Sequence, residues 1–221
     1  MSINNLLTGV SGPHGDSVER ETIPANTWGA PLVARYGPTY LEWARRGYIY
    51  VAATAAAAAI PIYTTCTNAP TLWNPADSGK LFVPIRVALC TEALGTPIIT
   101  GIRLMYETGM SDTSGTAGMP FPTFTNIAPV GTYPGKNAAA KGRFAAGTVT
   151  WTAQPANLMD LGMGMWKSGT TATGEPYSQF FFDFDGMVLM APGTAVCVAA
   201  NVATSTTFWT SIIYAELPNV V

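Results

Sequence analysis

Asp183 and Asp185, followed by Gly186, come nearest to a ligand loop in this 221-residue chain. A helix–loop–helix Ca²⁺ site needs further oxygen ligands and closes on a bidentate Glu at the last loop position. Counted from Asp183 that position is Thr194, so an Asp-Gly turn with solvated carboxylates is the better reading. Glycoside hydrolysis needs two carboxylates about 5–10 Å apart across a cleft. Asp160, Glu175, Asp183 and Asp185 offer candidates, but with 13 acidic residues some pair meets that separation by chance. The single histidine, His14, excludes multi-His metal sites and leaves Ser/His/Asp catalysis without a well-placed base. No GxSxG is present, and neither Gly115–Gly118 nor Gly162-Met-Gly-Met165 ends in the GK[ST] of a phosphate loop. Cys66, Cys90 and Cys197 show no CxxC spacing. An odd, irregular set reads as small buried apolar residues rather than a disulfide framework. No catalytic residue, metal ligand or cofactor is therefore expected.

Six tryptophans (28, 43, 73, 151, 166 and 209) and nine methionines are the remaining chemical resource. Exposed Trp or Tyr faces could bind sugar, with Trp166 or Tyr177 as candidates. Packing in cores and subunit contacts is the commoner use, because aromatics and Met are enriched at interfaces while Lys and Glu are depleted there.

The elements that would position these residues are β in grammar. From Tyr48 onward eight or nine apolar runs alternate with turn signals: 48–54, 58–65, 81–94, 97–106, 142–152, 177–183, 187–190, 194–202 and 207–216. Residues 157–164 are ambiguous, and 107–141 is rich in Gly, Pro, Ser and Thr. Such spacing predicts a sandwich or barrel. The run Ala55–Ala59 reads as close packing where nothing larger fits. Before it, Gly and Pro recur too often in residues 1–37 for long elements, and that stretch reads as an extended arm docked on something. Residues 38–46 form the best helix candidate: Pro38 suits the first helical position, Gly47 the C-cap, and Arg45 and Arg46 the C-terminal dipole. Tyr40, Trp43 and Ala44 would share its docking face. The division is thus an arm with a short helix, 1–47, and a β domain, 48–221.

Two turns are legible. Asp185-Gly186 between apolar runs is a strong hairpin signal, and Pro192-Gly193 suits a type II turn. A further hairpin about Thr204–Thr206 would make the C-terminal third an antiparallel meander. Asn74 before Pro75 is biased away from helix. On the last strand Phe208, Thr210, Ile212 and Tyr214 share one face, and Trp209, Ser211, Ile213 and Ala215 the other. Both faces are partly apolar, as in a strand central to a layered core or at a subunit contact.

Composition narrows the partners. Charged residues make up 11% of the chain and the net charge is −2, against roughly 25% charged in a typical soluble domain. The mean hydropathy is +0.22. Disorder and nucleic-acid binding are excluded, with no basic cluster beyond Arg45-Arg46. The 30 uncharged residues between Arg46 and Asp77 are broken by Pro61, Pro70 and Pro75 and diluted by Thr, so no membrane span is expected. The N-terminus lacks a signal peptide's pattern, so synthesis in a reducing cytoplasm is expected. Thr, Ser, Asn and Gly must supply part of the surface, and further copies of the chain must bury the rest.

Three segments carry a resemblance: Asn68-Ala-Pro-Thr-Leu-Trp-Asn-Pro-Ala-Asp-Ser-Gly-Lys-Leu-Phe-Val83, Phe182-Asp-Phe-Asp-Gly-Met-Val-Leu-Met-Ala-Pro-Gly193 and Trp209-Thr-Ser-Ile-Ile-Tyr-Ala-Glu-Leu-Pro218. Together they are similar to tailed-phage structural proteins. The resemblance spans 48–218 loosely, leaves the arm outside, and has no catalytic motif to transfer. It implies a jelly-roll β-sandwich, often trimeric in the manner of tumour-necrosis-factor-like domains. The expected protein is a self-assembling virion subunit of about eight strands, made in the host cytoplasm. It would contact its own copies through Tyr40, Trp43, Trp209 and Ile213 and other virion subunits through its arm. A carbohydrate- or receptor-binding knob, taking a host-surface glycan, is the first alternative. A polysaccharide hydrolase is the second.

Overall fold

The computed structural model describes residues 40–66, 68–93, 98–108, 129–135, 137–145, 149, 151, 154–166, 179–202 and 207–218, with backbone alone at 93, 98–100 and 163–166. The arm up to residue 39, with His14 and Trp28, lies outside them. So do Gly115–Gly118, Glu175, Tyr177 and Thr204–Thr206. By its internal contacts the chain divides into Met1–Leu41 and Glu42–Val221.

Helix α1 covers Leu41–Arg45. It ends as the sequence of its last turn dictates. Gly47 adopts φ 73°, its N–H bonds the Ala44 carbonyl, and the Tyr48 N–H reaches back to that of Trp43. This paired closure needs a residue free to take positive φ. Tyr40, Trp43 and Ala44 are half-buried, while Leu41, Glu42, Arg45 and Arg46 are exposed.

Eleven strands follow among the described residues: β1 Ile49–Ala53, β2 Ala58–Ala59, β3 Thr71–Trp73, β4 Lys80–Ala93, β5 Ile98–Glu107, β6 Val130–Gly131, β7 Arg143–Ala145, β8 Ala156–Trp166, β9 Gln179–Asp183, β10 Ala195–Ala200 and β11 Thr207–Pro218. They form two wholly antiparallel sheets. One runs β6-β1-β11-β4-β9, with β2 continuing β1 along β11; the other runs β7-β3-β10-β5-β8. The fold is all-β, two sheets packed face to face.

Alternation explains the packing. Tyr50 and Ala52 of β1, Phe82, Val87 and Leu89 of β4, and Phe208, Ile212 and Tyr214 of β11 face Leu72 of β3, Ile102 and Leu104 of β5, Phe144 of β7 and Val196 and Val198 of β10 in one buried cluster. At about 25 cal/mol per Å² of apolar surface removed from water, each of the Val, Leu, Ile and Phe side chains among them contributes about 1.5–3 kcal/mol. Strands β4 and β11 pair along nearly their whole length and form the spine of the first sheet. Pro84, which has no N–H to give the ladder, sits where the register slips between Ile213 and Tyr214. Tyr214 stays in the inter-sheet cluster beyond the slip, and Ala215, next on the strand, is buried between its ladder partners Ile49 of β1 and Val83 of β4.

Three expectations are corrected. The C-terminal third is not a meander. β9 lies beside β4 in the first sheet, β10 crosses to the second between β3 and β5, and β11 returns to the first between β1 and β4. The reason is burial. All six residues of β10 are buried, so it must be central in a sheet covered on both faces. The Asp185-Gly186 turn is therefore an excursion rather than a hairpin. It leaves β4 after the Arg86–Asp183 pair and rejoins it at the Phe82–Met190 bridge. Nor is the Ala run tight packing: Ala55, Ala56 and Ala59 are exposed and Ala57 and Ala58 half-buried, at the irregularity that joins β1 to β2.

Candidate functional site

The two sheets differ on their outer faces. Outside the second sheet, Cys197 and Ala199 of β10 and Met105 of β5 are covered by Cys66 and Ala69 from the 61–70 segment, with Tyr63 and Trp151 packed against them. Arg103 of β5 stacks over the Tyr63 ring at 4.8 Å and pairs with Asp160 across the strand boundary at 3.1 Å. Trp151 Nε1 donates to the Cys66 carbonyl at 3.2 Å. The chain thus covers the β10 part of this face with its own residues, while Asn157, Leu158 and Asp160 of the edge strand β8 are exposed.

Among the described residues, the first sheet's outer face is open at its centre. On β11, buried Phe208, Thr210 and Ile212 alternate with Trp209, Ser211 and Ile213. Register places Trp209, Cys90 and Gln179 in one row, Ala53, Ser211, Ala88 and Phe181 in the next, and Val51, Ile213, Arg86 and Asp183 in the third. Small residues in the middle row leave a groove of about 190 Å³ lined by Ala53, Ala88, Cys90, Gln179, Phe181, Trp209 and Ser211 among others. Trp209 is 40% exposed and Phe181 55%. Two aromatic side chains thus stand in solvent, one on each side of a floor of small residues.

Electrostatically this face is closed on itself. Arg86 Nε donates to Asp183 Oδ1 at 2.5 Å and Nη2 to Oδ2 at 3.0 Å, and the guanidinium lies 5.5 Å from the Phe181 ring centre. The hydrogen-bonded Arg86 holds the Asp183 carboxyl below its usual range, which keeps it ionised at neutral pH. A general acid needs the opposite displacement. Asp160 is engaged by Arg103 in the same cross-strand manner. Among the described residues no three His, Cys, Asp or Glu side chains converge as a metal site requires.

The turn residues meet at one end of the sandwich. Phe184 accepts from the Met187 N–H at 2.8 Å across Asp185 (φ 45°) and Gly186 (φ 82°), the geometry of a type I′ turn. Ala191 accepts from the Thr194 N–H across Pro192 and Gly193, with Gly193 at φ 82°, a type II turn. Asn74 clips this second turn to the loop before β4. Its Nδ2 donates to the carbonyls of Lys80 and Met190, each at 2.9 Å. Its Oδ1 accepts from Ser78 Oγ at 2.5 Å, and its carbonyl accepts from the Gly193 N–H at 2.8 Å. Asn74 and Pro75 are both buried. Two of the segments that carried the resemblance are therefore joined by one fully satisfied side chain.

Of the expected contact residues, Trp209 and Ile213 share the open face. Tyr40 and Trp43 stand instead at the start of α1 and on it. Sequence reasoning missed Phe181 and Gln179, because three consecutive phenylalanines hide the alternation of β9; only the flanking Gln179 and Asp183 hint that odd positions point outward. Glu216 was missed as well. It is 3% exposed and accepts the Lys141 and Gly142 N–H groups, at 2.7 Å for the latter, and the Tyr214 hydroxyl at 3.1 Å. Comparison of the chain with protein-family models, with curated proteins and with solved structures found no match.

Proposed function

We propose that this chain is a self-assembling structural subunit of a tailed-phage particle, folded as a jelly roll, that forms or decorates the virion shell. Strand order supports the fold. Leaving out the short β2, β6 and β7, eight strands remain, and they pair first with eighth, second with seventh, third with sixth and fourth with fifth. That nesting is what a long antiparallel hairpin produces when it wraps into two sheets, the winding of a jelly roll.

The observation that carries the assembly reading is the contrast between the faces. Around β10 the second sheet's outer face is covered by Cys66, Ala69, Tyr63 and Trp151, whereas at the centre of the first Trp209 is 40% and Phe181 55% exposed, with only the Arg86 guanidinium, among the described residues, lying over the Phe181 ring. Contiguous exposed apolar surface marks an interaction site, and an internally neutralised Arg86–Asp183 pair leaves it without a charge that would repel a second copy. A trimer is the order that the resemblance implies, with residues 1–47 docking on neighbouring subunits. Electron microscopy of the purified protein tests the proposal. Regular assemblies are expected, reduced to small species by Trp209→Lys or Ile213→Lys. Monodisperse single subunits in the wild type refute it. Deleting residues 1–37 should leave a folded sandwich that assembles poorly.

The groove favours a second reading, a glycan-binding knob. Trp209 and Phe181 flank a cleft whose lining includes Gln179 and Ser211, a combination of aromatic faces, amide and hydroxyl that suits a pyranose ring and its hydroxyls. Oligosaccharide binding lost in Trp209→Ala with assembly intact would favour it over the shell role.

A further inference from the structure

The 61–70 segment is tied to β10 at both ends. On one side Ala200 donates to the Pro61 carbonyl at 2.9 Å and accepts from the Tyr63 N–H at 2.8 Å; on the other Val198 donates to the Pro70 carbonyl at 3.2 Å. Thr71 then stands opposite Cys197 in the ladder. Between these ties the Cys66 N–H closes a turn onto the Ile62 carbonyl at 3.0 Å, with Cys66 at φ 49°. On β10, Val196, Val198 and Ala200 belong to the inter-sheet core. Cys197 therefore points the other way, to the face that the segment covers, and it packs with Cys66 in one cluster. Both are unpaired thiols with no exposed surface, and the Cys66 thiol donates to the Tyr63 carbonyl at 3.2 Å. The third cysteine, Cys90, is half-buried on β4, in the other sheet.

We propose that Cys66 and Cys197 are a latent covalent staple, closing to an intramolecular disulfide when the protein meets a peroxide oxidant. The Cys66 thiolate attacks one oxygen of hydrogen peroxide; the O–O bond breaks, hydroxide leaves, and a sulfenic acid forms on Cys66. The Cys197 sulfur then attacks Cys66 Sγ; the S–S bond forms as the S–O bond breaks and a second hydroxide leaves. The two thiol protons convert both hydroxides to water. Two sulfurs lose two electrons in all, and one peroxide becomes two waters. The order follows from the environments: the neighbouring Cys197 side chain lowers Cys66 from the ordinary thiol range, whereas burial pushes Cys197 well above it. Cys66 supplies the thiolate. The staple would lock the covering segment onto β10 and link positions far apart in sequence, the case in which a cross-link restricts the unfolded chain most.

The test uses the full chain, purified reduced, treated with graded hydrogen peroxide, alkylated under denaturing conditions and mapped by mass spectrometry without reduction. A linked peptide pair containing Cys66 and Cys197, lighter by two hydrogens than the sum of its parts, is expected. Tm should rise by about 5–15 °C, and dithiothreitol should reverse both changes. Cys197→Ala should abolish the pair and the Tm rise; if that variant folds poorly, the linkage map and dithiothreitol reversal in the wild type decide the matter alone. The proposal is overturned if Cys66 and Cys197 stay alkylatable at doses that oxidise Cys90. It is equally overturned if they appear as sulfinic or sulfonic acids rather than paired.

Discussion

Replacing Asn74 should cost far more than an exposed loop residue would suggest. The side chain is fully buried and makes three hydrogen bonds, to Lys80, Met190 and Ser78. Asn74→Ala removes all three. The Met190 carbonyl keeps the Phe82 N–H at 3.0 Å, and Ser78 Oγ keeps the Lys80 N–H at 3.2 Å, so those groups retain a partner. The Lys80 carbonyl is left with only a 3.5 Å contact from Ser78. At about 1 kcal/mol net per hydrogen bond, with a further penalty for a poorly satisfied buried carbonyl and a small void, the loss is about 3–4 kcal/mol. For a chain of this size that lowers Tm by about 6–16 °C. Asn74→Asp is the sharper perturbation. It keeps the shape but turns a carboxylate oxygen toward two carbonyl oxygens, and only the protonated acid can donate to either. The introduced carboxyl should therefore titrate above the ordinary value of about 3.9 in the folded state. Since the folded value is raised, the Asn74→Asp deficit is smallest below pH 4 and grows as pH rises toward the folded value. Urea unfolding at one fixed subunit concentration, at several pH values, measures both effects. An Asn74→Ala loss under about 1 kcal/mol, or an Asn74→Asp deficit independent of pH, would refute the clip.

Further predictions concern the Glu216 anchor and the turn. At Gly142 an added Cβ would overlap the Tyr214 hydroxyl and ring and the Phe82 ring, all held in the core, so Gly142→Ala should destabilise by about 2 kcal/mol or more, read as a fall in the urea midpoint. Glu216→Gln should cost about 1–3 kcal/mol, because an amide NH₂ would replace one of two oxygens that accept backbone N–H groups. Burial, with the Glu216 charge beside it, holds the Tyr214 phenol well above its ordinary value of 10.0. Below pH 10 this has no effect on stability; above it the unfolded chain releases a proton that the folded chain retains, so stability falls by about 1.4 kcal/mol per pH unit. Alkaline denaturation curves should show this decline, and Tyr214→Phe should make it shallower. Gly186→Val should destabilise the fold although nothing lies within 4 Å of its added Cβ, since β-branched residues resist φ 82°; unchanged thermal stability would contradict this.

How much was legible depended on the range of the interaction. The turns at Asp185-Gly186 and Pro192-Gly193 and the cap at Gly47 are local: a residue that tolerates positive φ sits where the chain needs it, and composition displays that directly. So does the alternation of Trp209, Ser211 and Ile213 with their buried neighbours. Which strand β10 joins is not local. An Asp-Gly pair fixes a reversal, but the partner of the departing strand depends on which face remains to be covered, and the six-residue Ala195–Ala200 run is short enough to suit either sheet. The same limit hid the groove, because its rows come from four strands that register brings together. The Asn74 clip was half visible. Asn before Pro marked a turn, but nothing in the sequence says that its amide reaches the carbonyl of Met190. Glu216 left one trace, a carboxylate at the end of an apolar strand two residues after Tyr214, but nothing in a hydropathy pattern says that the Lys141 and Gly142 N–H groups meet it.

The central claim is that the open face of the β1–β11–β4–β9 sheet is covered by other copies of the chain. Its most direct test is the absolute mass in dilute neutral buffer by light scattering, wild type beside Trp209→Lys. The account predicts a wild-type particle of several subunits, a trimer or larger, and a smaller, still folded species for the variant. A wild type that elutes soluble at the 23.3 kDa of one chain, with the variant indistinguishable from it, would contradict the account.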